Sequence, residues 1–193
     1  MFAAHYPLGS CVVRRSCTPL SLHKLLHAHS ACGLLHIACH ISEGIDRLHM
    51  HFHIGGASTQ SVPGEQFVHI IQNTLSTRRE PLRTIVLMCC HARTLADRLI
   101  AVGVPCVIGW GGRLLDERDV TSEFGNAIHR AIAEGQSPRQ AFIAAKAAIL
   151  EVTEFRGKFD AHGRCVFEPK FALIDPESEV VDQEKGRVIV LRE

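Results

Sequence analysis

The sequence lacks the features that mark membrane, secreted and nucleic-acid-binding proteins. It has no run of about 18 consecutive apolar residues, so no membrane-spanning helix is predicted. The first residues lack a basic region followed by a continuous apolar stretch, which argues against a secretion signal. The 21 basic and 20 acidic residues leave a formal net charge of +1, which is too small to attract nucleic acid or an acidic membrane. We therefore expect a cytoplasmic protein with neither nucleic acid nor a membrane as a partner.

Phosphate-binding loops and sequence repeats are also missing. The glycine pairs at 55–56 and 111–112 are not followed by the lysine of a phosphate loop, so no nucleotide or other cofactor is expected. No repeat or low-complexity tract interrupts the 193 residues, of which 46% are hydrophobic. This composition predicts one globular domain with a single core.

The eight cysteines do not form the pattern of a disulfide framework. Four of them lie inside apolar runs with the composition of buried strands: Cys39, Cys89, Cys90 and Cys106. Disulfides of secreted domains instead usually join cysteines in the loops of small domains. The sequence therefore predicts reduced thiols in a reducing compartment.

Apolar strands that alternate with amphipathic helices fill the middle of the chain. Strands are predicted at 33–40, 48–54, 84–90, 105–110 and 171–175, and helices from Thr18 or Ser21 to about His29 and over 66–77, 95–102, 119–133 and 138–150. This order predicts an α/β fold with a mostly parallel sheet and helices on both faces. Residues 1–17 show only a candidate edge strand at 11–13, and 176–193 are predicted to form a polar tail with a short apolar end.

Two of the apolar runs end in a reactive residue, and these two residues are 50 positions apart. His40 closes the first run and Cys90 closes the second. Because chemistry in parallel sheets occurs outside the carboxyl ends of the strands, His40 and Cys90 are expected at the same sheet edge. An imidazole beside a thiol can take its proton and later return it to a leaving amine. The pair therefore predicts a cysteine hydrolase, and most simply a peptidase.

Taken in order, these segments resemble the caspase-like CHAT family of the caspase/separase fold. The resemblance extends over about 25–174 and rests on Leu35-His36-Ile37-Ala38-Cys39-His40, Ile85-Val86-Leu87-Met88-Cys89-Cys90, 95–104, Val107-Ile108-Gly109-Trp110, Asp116, Phe124 and 135–142. It implies a three-layer caspase-like domain over 18–175, with 1–17 as the remnant of a shortened N-terminal part. It also implies a protein or peptide substrate and an activating partner protein.

The same resemblance assigns roles to individual residues. It implies that Cys90 and His40 form the catalytic dyad of a cysteine endopeptidase, and Cys90-His91 is similar to the Cys-His pair of metacaspases, which prefer Arg or Lys. The oxyanion needs fixed N–H donors, for which the backbone of Cys90 and of Ile41 are candidates. Asp116 and Trp110 are candidates for the substrate pocket, and the role of Asp116 rests on the resemblance alone.

Two departures from the family pattern motivate an alternative hypothesis from a different class of function. The family usually places glycine after the catalytic histidine, whereas this chain has Ile41, a β-branched residue that resists the positive φ open to glycine. Metacaspase-like members carry an acidic residue two positions before the nucleophile, and here that residue is Met88. The alternative hypothesis is a catalytically inactive caspase-like module that binds or scaffolds a partner.

Three alternating histidines raise a third hypothesis. His49, His51 and His53 share one face of a predicted strand, and imidazole is a good ligand for zinc, nickel or copper. Because metal sites usually draw ligands from more than one element, we favour the solvent face of an edge strand, and no metal is predicted.

Overall fold

The computed structural model describes residues 2–7, 10–14, 16–43, 48–55, 58–78, 80–90, 92–110, 118–151, 171–174 and 187–191. The strands in these ranges are β1 (Cys11–Arg14), β2 (Cys32–Ala38), β3 (His40–Glu43), β4 (Leu48–Gly55), β5 (Ser58–Pro63), β6 (Thr84–Met88), β7 (Cys106–Trp110), β8 (Phe171–Ile174) and β9 (Arg187–Leu191). The α-helices are α1 (Pro19–Ala28), α2 (Gly64–Thr77), α3 (Ala92–Ala101), α4 (Arg118–Ala133) and α5 (Pro138–Glu151), and a short 3₁₀-helix at Phe2–His5 precedes β1.

Six strands form the main sheet, in the spatial order β1-β9-β2-β6-β7-β8. Neighbouring strands from β1 to β7 run parallel, and only β8 is antiparallel to its neighbour β7. The mixed α/β class and the mostly parallel sheet predicted from the alternating pattern are thus confirmed.

Both ends of the described chain belong to this sheet, which corrects the predicted boundaries of 18–175. In β9, Ile189 pairs with Val12 of β1 on one side and with Leu35 of β2 on the other. The short apolar end of the predicted tail is therefore an interior strand, and the predicted remnant supplies the edge strand β1. Strands inside parallel sheets are continuous apolar runs, as Val188-Ile189-Val190-Leu191 is, but such a run does not reveal its neighbours.

The helices cover the two faces of the sheet, because successive strand residues point to opposite sides. Leu35, Ile37, Ile85 and Leu87 pack in one core cluster with side chains of α1, α2 and α3. The alternate residues pack in a second cluster with α4 and α5, and they include Leu34, Val86, Met88 and Ile108. The result is three layers with the core divided between two faces.

Local signals in the sequence account for the ends of two helices. Thr18 caps α1, since its hydroxyl accepts a hydrogen bond from the Ser21 backbone N–H at 3.1 Å while the Ser21 hydroxyl accepts one from the Thr18 N–H at 2.7 Å. Gly103 follows α3 with φ of 101°, a conformation open to glycine. Thr18 is one of the two starting positions predicted for α1.

A second, three-stranded antiparallel sheet has the order β3-β4-β5. No helix or strand was predicted for residues 41–47 and 55–64, which lie between the predicted elements, yet β3 continues into the first range and β5 lies within the second. The histidine-rich strand β4 was predicted to be an edge strand, and it is instead the central strand. β5 has exposed polar residues at 58–61, so its composition resembles that of a loop. Pairing with β4 decides its conformation, which is a tertiary effect on β propensity.

Candidate active site at the carboxyl ends of β2 and β6

The register between β2 and β6 sets the positions of the two reactive residues. Leu34 pairs with Thr84, and the pairing continues in step to Ala38 and Met88. The chain stays paired one residue further, because the Cys39 backbone N–H donates to the Met88 carbonyl at 3.4 Å. Each pair is separated by 50 positions, which is also the separation of His40 and Cys90. Both residues therefore leave the same edge of the sheet, two positions after the last paired residues.

The two cysteines just before them form a buried thiol pair. Cys39 and Cys89 belong to the same core cluster, and their exposed fractions are 7% and 0%. The neighbouring Cys39 thiol and complete burial raise the pKa of the Cys89 thiol, so Cys89 stays neutral. Both belong to the core on the side of α1, α2 and α3. The prediction that Cys89 fills the core is confirmed.

Cys90 occupies the short turn between β6 and α3. Its side chain is half-buried, and α3 begins two residues later at Ala92. A side chain at Gly109 of β7 would lie 3.1 Å from the Ala92 Cβ, so the absence of a side chain there lets the first turn of α3 approach the sheet. The N–H groups of a first helical turn have no partner within the helix and favour negative charge. Cys90 is thus a partly accessible thiol beside backbone donors.

His40 is the first residue of β3, and its side chain is exposed. It lies opposite His51 of β4 in the antiparallel ladder. The same face carries two further polar pairs, between Ser42 Oγ and His51 Nε2 at 2.7 Å and between Ser61 Oγ and His49 Nδ1 at 3.2 Å. His40 therefore stands on an exposed polar face of the second sheet.

Ile41, the predicted second oxyanion donor, is part of regular strand structure. It pairs with Met50 of β4, and its side chain is only 9% exposed within the core. An extended strand residue can be β-branched without strain, which accounts for isoleucine where the resembling family has glycine. The backbone after His40 is therefore a strand and not a glycine turn.

Of the two predicted pocket residues, the structure describes the backbone of Trp110. Trp110 is the last residue of β7 and pairs with Phe171 of β8. Since Leu87 pairs with Gly109, the backbone of Trp110 reaches the same edge of the sheet as Met88. Asp116 lies outside the described residues.

The histidines of β4 show hydrogen bonds and no metal cluster. His49 and His51 have serine partners, as given above, and the His53 side chain lies outside the described part. Among the described residues, no group of three or more His, Cys, Asp or Glu side chains could hold a metal ion.

A chain of three polar side chains on the α4 side of the sheet was not predicted; two of them are buried and the third, Tyr6, is half-buried. His36 Nδ1 of β2 lies 2.7 Å from His129 Nε2 of α4, and His129 Nδ1 lies 2.8 Å from the Tyr6 hydroxyl. The exposed fractions of His36 and His129 are 1% and 0%. When each imidazole carries one proton, the donors along this chain all point in one direction, so each of these contacts has a donor and an acceptor. The only sequence signal was a histidine inside each of two apolar patterns.

Acidification is expected to destabilise the protein through this chain. Burial, followed by the nearby His36 and His5, lowers the pKa of His129 well below its usual range. The unfolded chain binds a proton at this position near pH ~6.5 while the native state does not. The free energy of unfolding is therefore not reduced by this group above that pH. Below it, the free energy of unfolding falls by up to about 1.4 kcal/mol per pH unit for one proton.

The measurement is the free energy of unfolding in urea at pH 7.5, 6.5 and 5.5. In His129→Gln, the free energy of unfolding is expected to change less steeply with pH than in the wild type, whatever the absolute stability of the variant. His69→Gln, at an exposed position of α2, is the matched control and should keep the wild-type slope. Equal slopes for all three proteins would contradict the role given to His129.

Seven cysteines in the described ranges are thiols and not members of disulfides: Cys11, Cys17, Cys32, Cys39, Cys89, Cys90 and Cys106. Over the same ranges, the helices are all too short or too polar to cross a membrane.

No protein-family model matches the chain, and no curated protein matches it at a significant level.

Proposed function

We propose that this protein is a cysteine endopeptidase with a caspase-like fold, in which Cys90 is the nucleophile and His40 moves the protons. The observation that carries the proposal is the β2–β6 register, which brings an imidazole and a partly accessible thiol to one sheet edge. The three-layer arrangement and the resemblance of the segments in order support the fold assignment.

The chemistry follows from these positions. The Cys90 thiolate attacks the carbonyl carbon of the scissile peptide bond, and the C–N bond breaks as His40 gives a proton to the leaving amine. The backbone N–H of Cys90, beside the first turn of α3, stabilises the oxyanion. The N–H of Ile41 is the second candidate donor. Water, deprotonated by His40, then hydrolyses the thioester and releases the thiol.

The substrate is a protein or peptide, and the pocket is proposed to include Trp110 and Asp116. Trp110 is the last residue of β7, next to β6, so its backbone ends at the same edge of the sheet. A carboxylate from Asp116 would favour a basic residue before the scissile bond. An activating partner that orders the loops around this edge is part of the proposal.

Digestion of a mixed peptide library tests the proposal directly. The full chain is incubated with the library, and new termini are identified by mass spectrometry with and without prior alkylation. We expect cleavage after a restricted set of residues, and alkylation is expected to abolish it while labelling Cys90 first. Cys11 is the matched thiol, since it is also half-buried and burial raises its pKa. Cleavage that survives full alkylation of Cys90 would contradict the proposal.

One observation favours the second candidate, a catalytically inactive caspase-like module that binds a partner. Ile41 is held in a strand with its side chain in the core, so an oxyanion site built on a turn after the histidine would need a different local structure. This function predicts no library cleavage, equal labelling rates for Cys90 and Cys11, and partner binding that Cys90→Ala leaves unchanged.

A further inference from the structure

The buried thiol pair next to the proposed dyad has a chemistry of its own. Cys39 and Cys89 each lie one residue beyond the last paired residues of the neighbouring parallel strands β2 and β6. The Cys39 backbone N–H still donates to the Met88 carbonyl, and both side chains belong to the same core cluster. Cys89 is inaccessible, whereas 7% of Cys39 is exposed. Each thiol is followed directly by one of the two residues assigned to catalysis.

We propose that Cys39 and Cys89 form an oxidation site, which peroxide closes into a cross-strand disulfide that inactivates the adjacent His40–Cys90 edge. The second half of this statement rests on the proposed function, while formation of the bond does not.

The spacing of the strands allows the bond and predicts that it moves the strand ends. Neighbouring strands are ~4.8 Å apart, which lies within the Cα–Cα range of about 4.4–6.8 Å seen in disulfides. Side chains of parallel neighbours point the same way, so their Cβ atoms have a similar separation, whereas a disulfide needs about 3.8 Å between them. Closing the bond therefore pulls the two strand ends together by roughly 1 Å.

The oxidation begins at Cys39, because it is the more exposed member of the buried pair. Its sulfur attacks the O–O bond of hydrogen peroxide, which gives a sulfenic acid and one water. The Cys89 sulfur then attacks the Cys39 sulfur; the S–S bond forms, the S–O bond breaks and a second water leaves with the Cys89 proton. Two thiols thus lose two electrons to one peroxide. A disulfide under such strain is readily reduced again by a thiol.

The consequence concerns the next residue on each strand. His40 and Cys90 follow the linked cysteines directly, so a shift of the strand ends changes their separation. A displacement of about 1 Å in a catalytic arrangement can lower the rate ~100-fold. We expect a reversible loss of that size, with the fold retained because the sheet and both cores remain.

Peptide mapping of the full chain after brief peroxide treatment tests the bond independently of activity. Trypsin cuts after Lys24, Arg47, Arg83 and Arg93, so Cys39 and Cys89 fall in the peptides 25–47 and 84–93. Without reduction, these peptides are expected to be joined with a loss of two hydrogen atoms, and fragmentation should place the link at Cys39 and Cys89. The link should persist in Cys90→Ala and be absent from Cys39→Ala. No link, or one through Cys32 or Cys90, overturns the inference.

The consequence for the site is measured on the same samples. After peroxide, peptide hydrolysis and the rate of Cys90 alkylation should both fall more in the wild type than in Cys39→Ala, and dithiothreitol should remove this difference. The part of the decrease that also occurs in Cys39→Ala measures direct oxidation of Cys90. If the disulfide forms completely and the wild type still loses no more activity than Cys39→Ala, the proposed inactivation is overturned. If the untreated protein hydrolyses no peptide, the proposed function fails, while the peptide map and the alkylation rates still decide the disulfide and its effect on Cys90.

Discussion

Replacement of Cys90 by alanine is expected to lower kcat/KM for the best library peptide by at least about 10⁴-fold. The substitution removes the atom that forms the acyl-enzyme, and the remaining backbone donors and substrate binding supply only a small part of the rate enhancement. Cys90 is half-buried in a turn, so we expect little change in stability. The measurement combines steady-state hydrolysis of that peptide with urea unfolding of both proteins.

The neighbouring cysteine provides the matched control. Cys89→Ala removes a fully buried thiol and is expected to lower the free energy of unfolding by about 1–2 kcal/mol while keeping most of the hydrolysis. His40→Ala should reduce hydrolysis by about 10²–10⁴-fold. The double variant with Cys90→Ala should be no worse than Cys90→Ala alone, since residues that act as a unit are not additive. Equal activity losses in Cys89→Ala and Cys90→Ala would show that packing, and not the nucleophile, limits the reaction.

The second large effect is expected at the C-terminal strand. Ile189→Pro should lower the free energy of unfolding by about 3 kcal/mol or more, because proline has no N–H and is excluded from interior strands. Ile189 is paired on both sides, with Val12 and with Leu35. A break at this position disturbs β1 and β2 together. Urea unfolding followed by far-ultraviolet circular dichroism measures the change.

Ile189→Val is the control for this substitution, because it keeps the N–H and the β-branched shape. Its expected cost is about 0.5–1.5 kcal/mol. If Ile189→Pro is as stable as Ile189→Val, then 187–191 is not an interior strand of this sheet, and the predicted tail is the correct description.

Much of the scaffold could be predicted because its signals are local. Thr18 with Ser21, and Gly103 after α3, mark helix ends through hydrogen bonds and backbone conformations confined to a few residues. Runs such as 33–40 and 84–90 are strongly apolar and short, so their conformation follows from composition. The second sheet was partly missed, since β5 owes its strand conformation to β4.

The candidate site likewise combines features that local sequence signals predict with features that arise only on folding. The sequence by itself determined that a histidine and a cysteine each follow an apolar strand, and that both strands are parallel members of one α/β sheet. Only the tertiary structure decided that these strands are neighbours in a register of 50 positions, that Cys39 and Cys89 share one core cluster and that Ile41 is held in a strand. Contacts between His36, His129 and Tyr6 also arise only on folding, since they join residues from the N-terminal segment, β2 and α4. The physical reason is that strand order and register depend on packing between distant segments, which no local pattern of residues records.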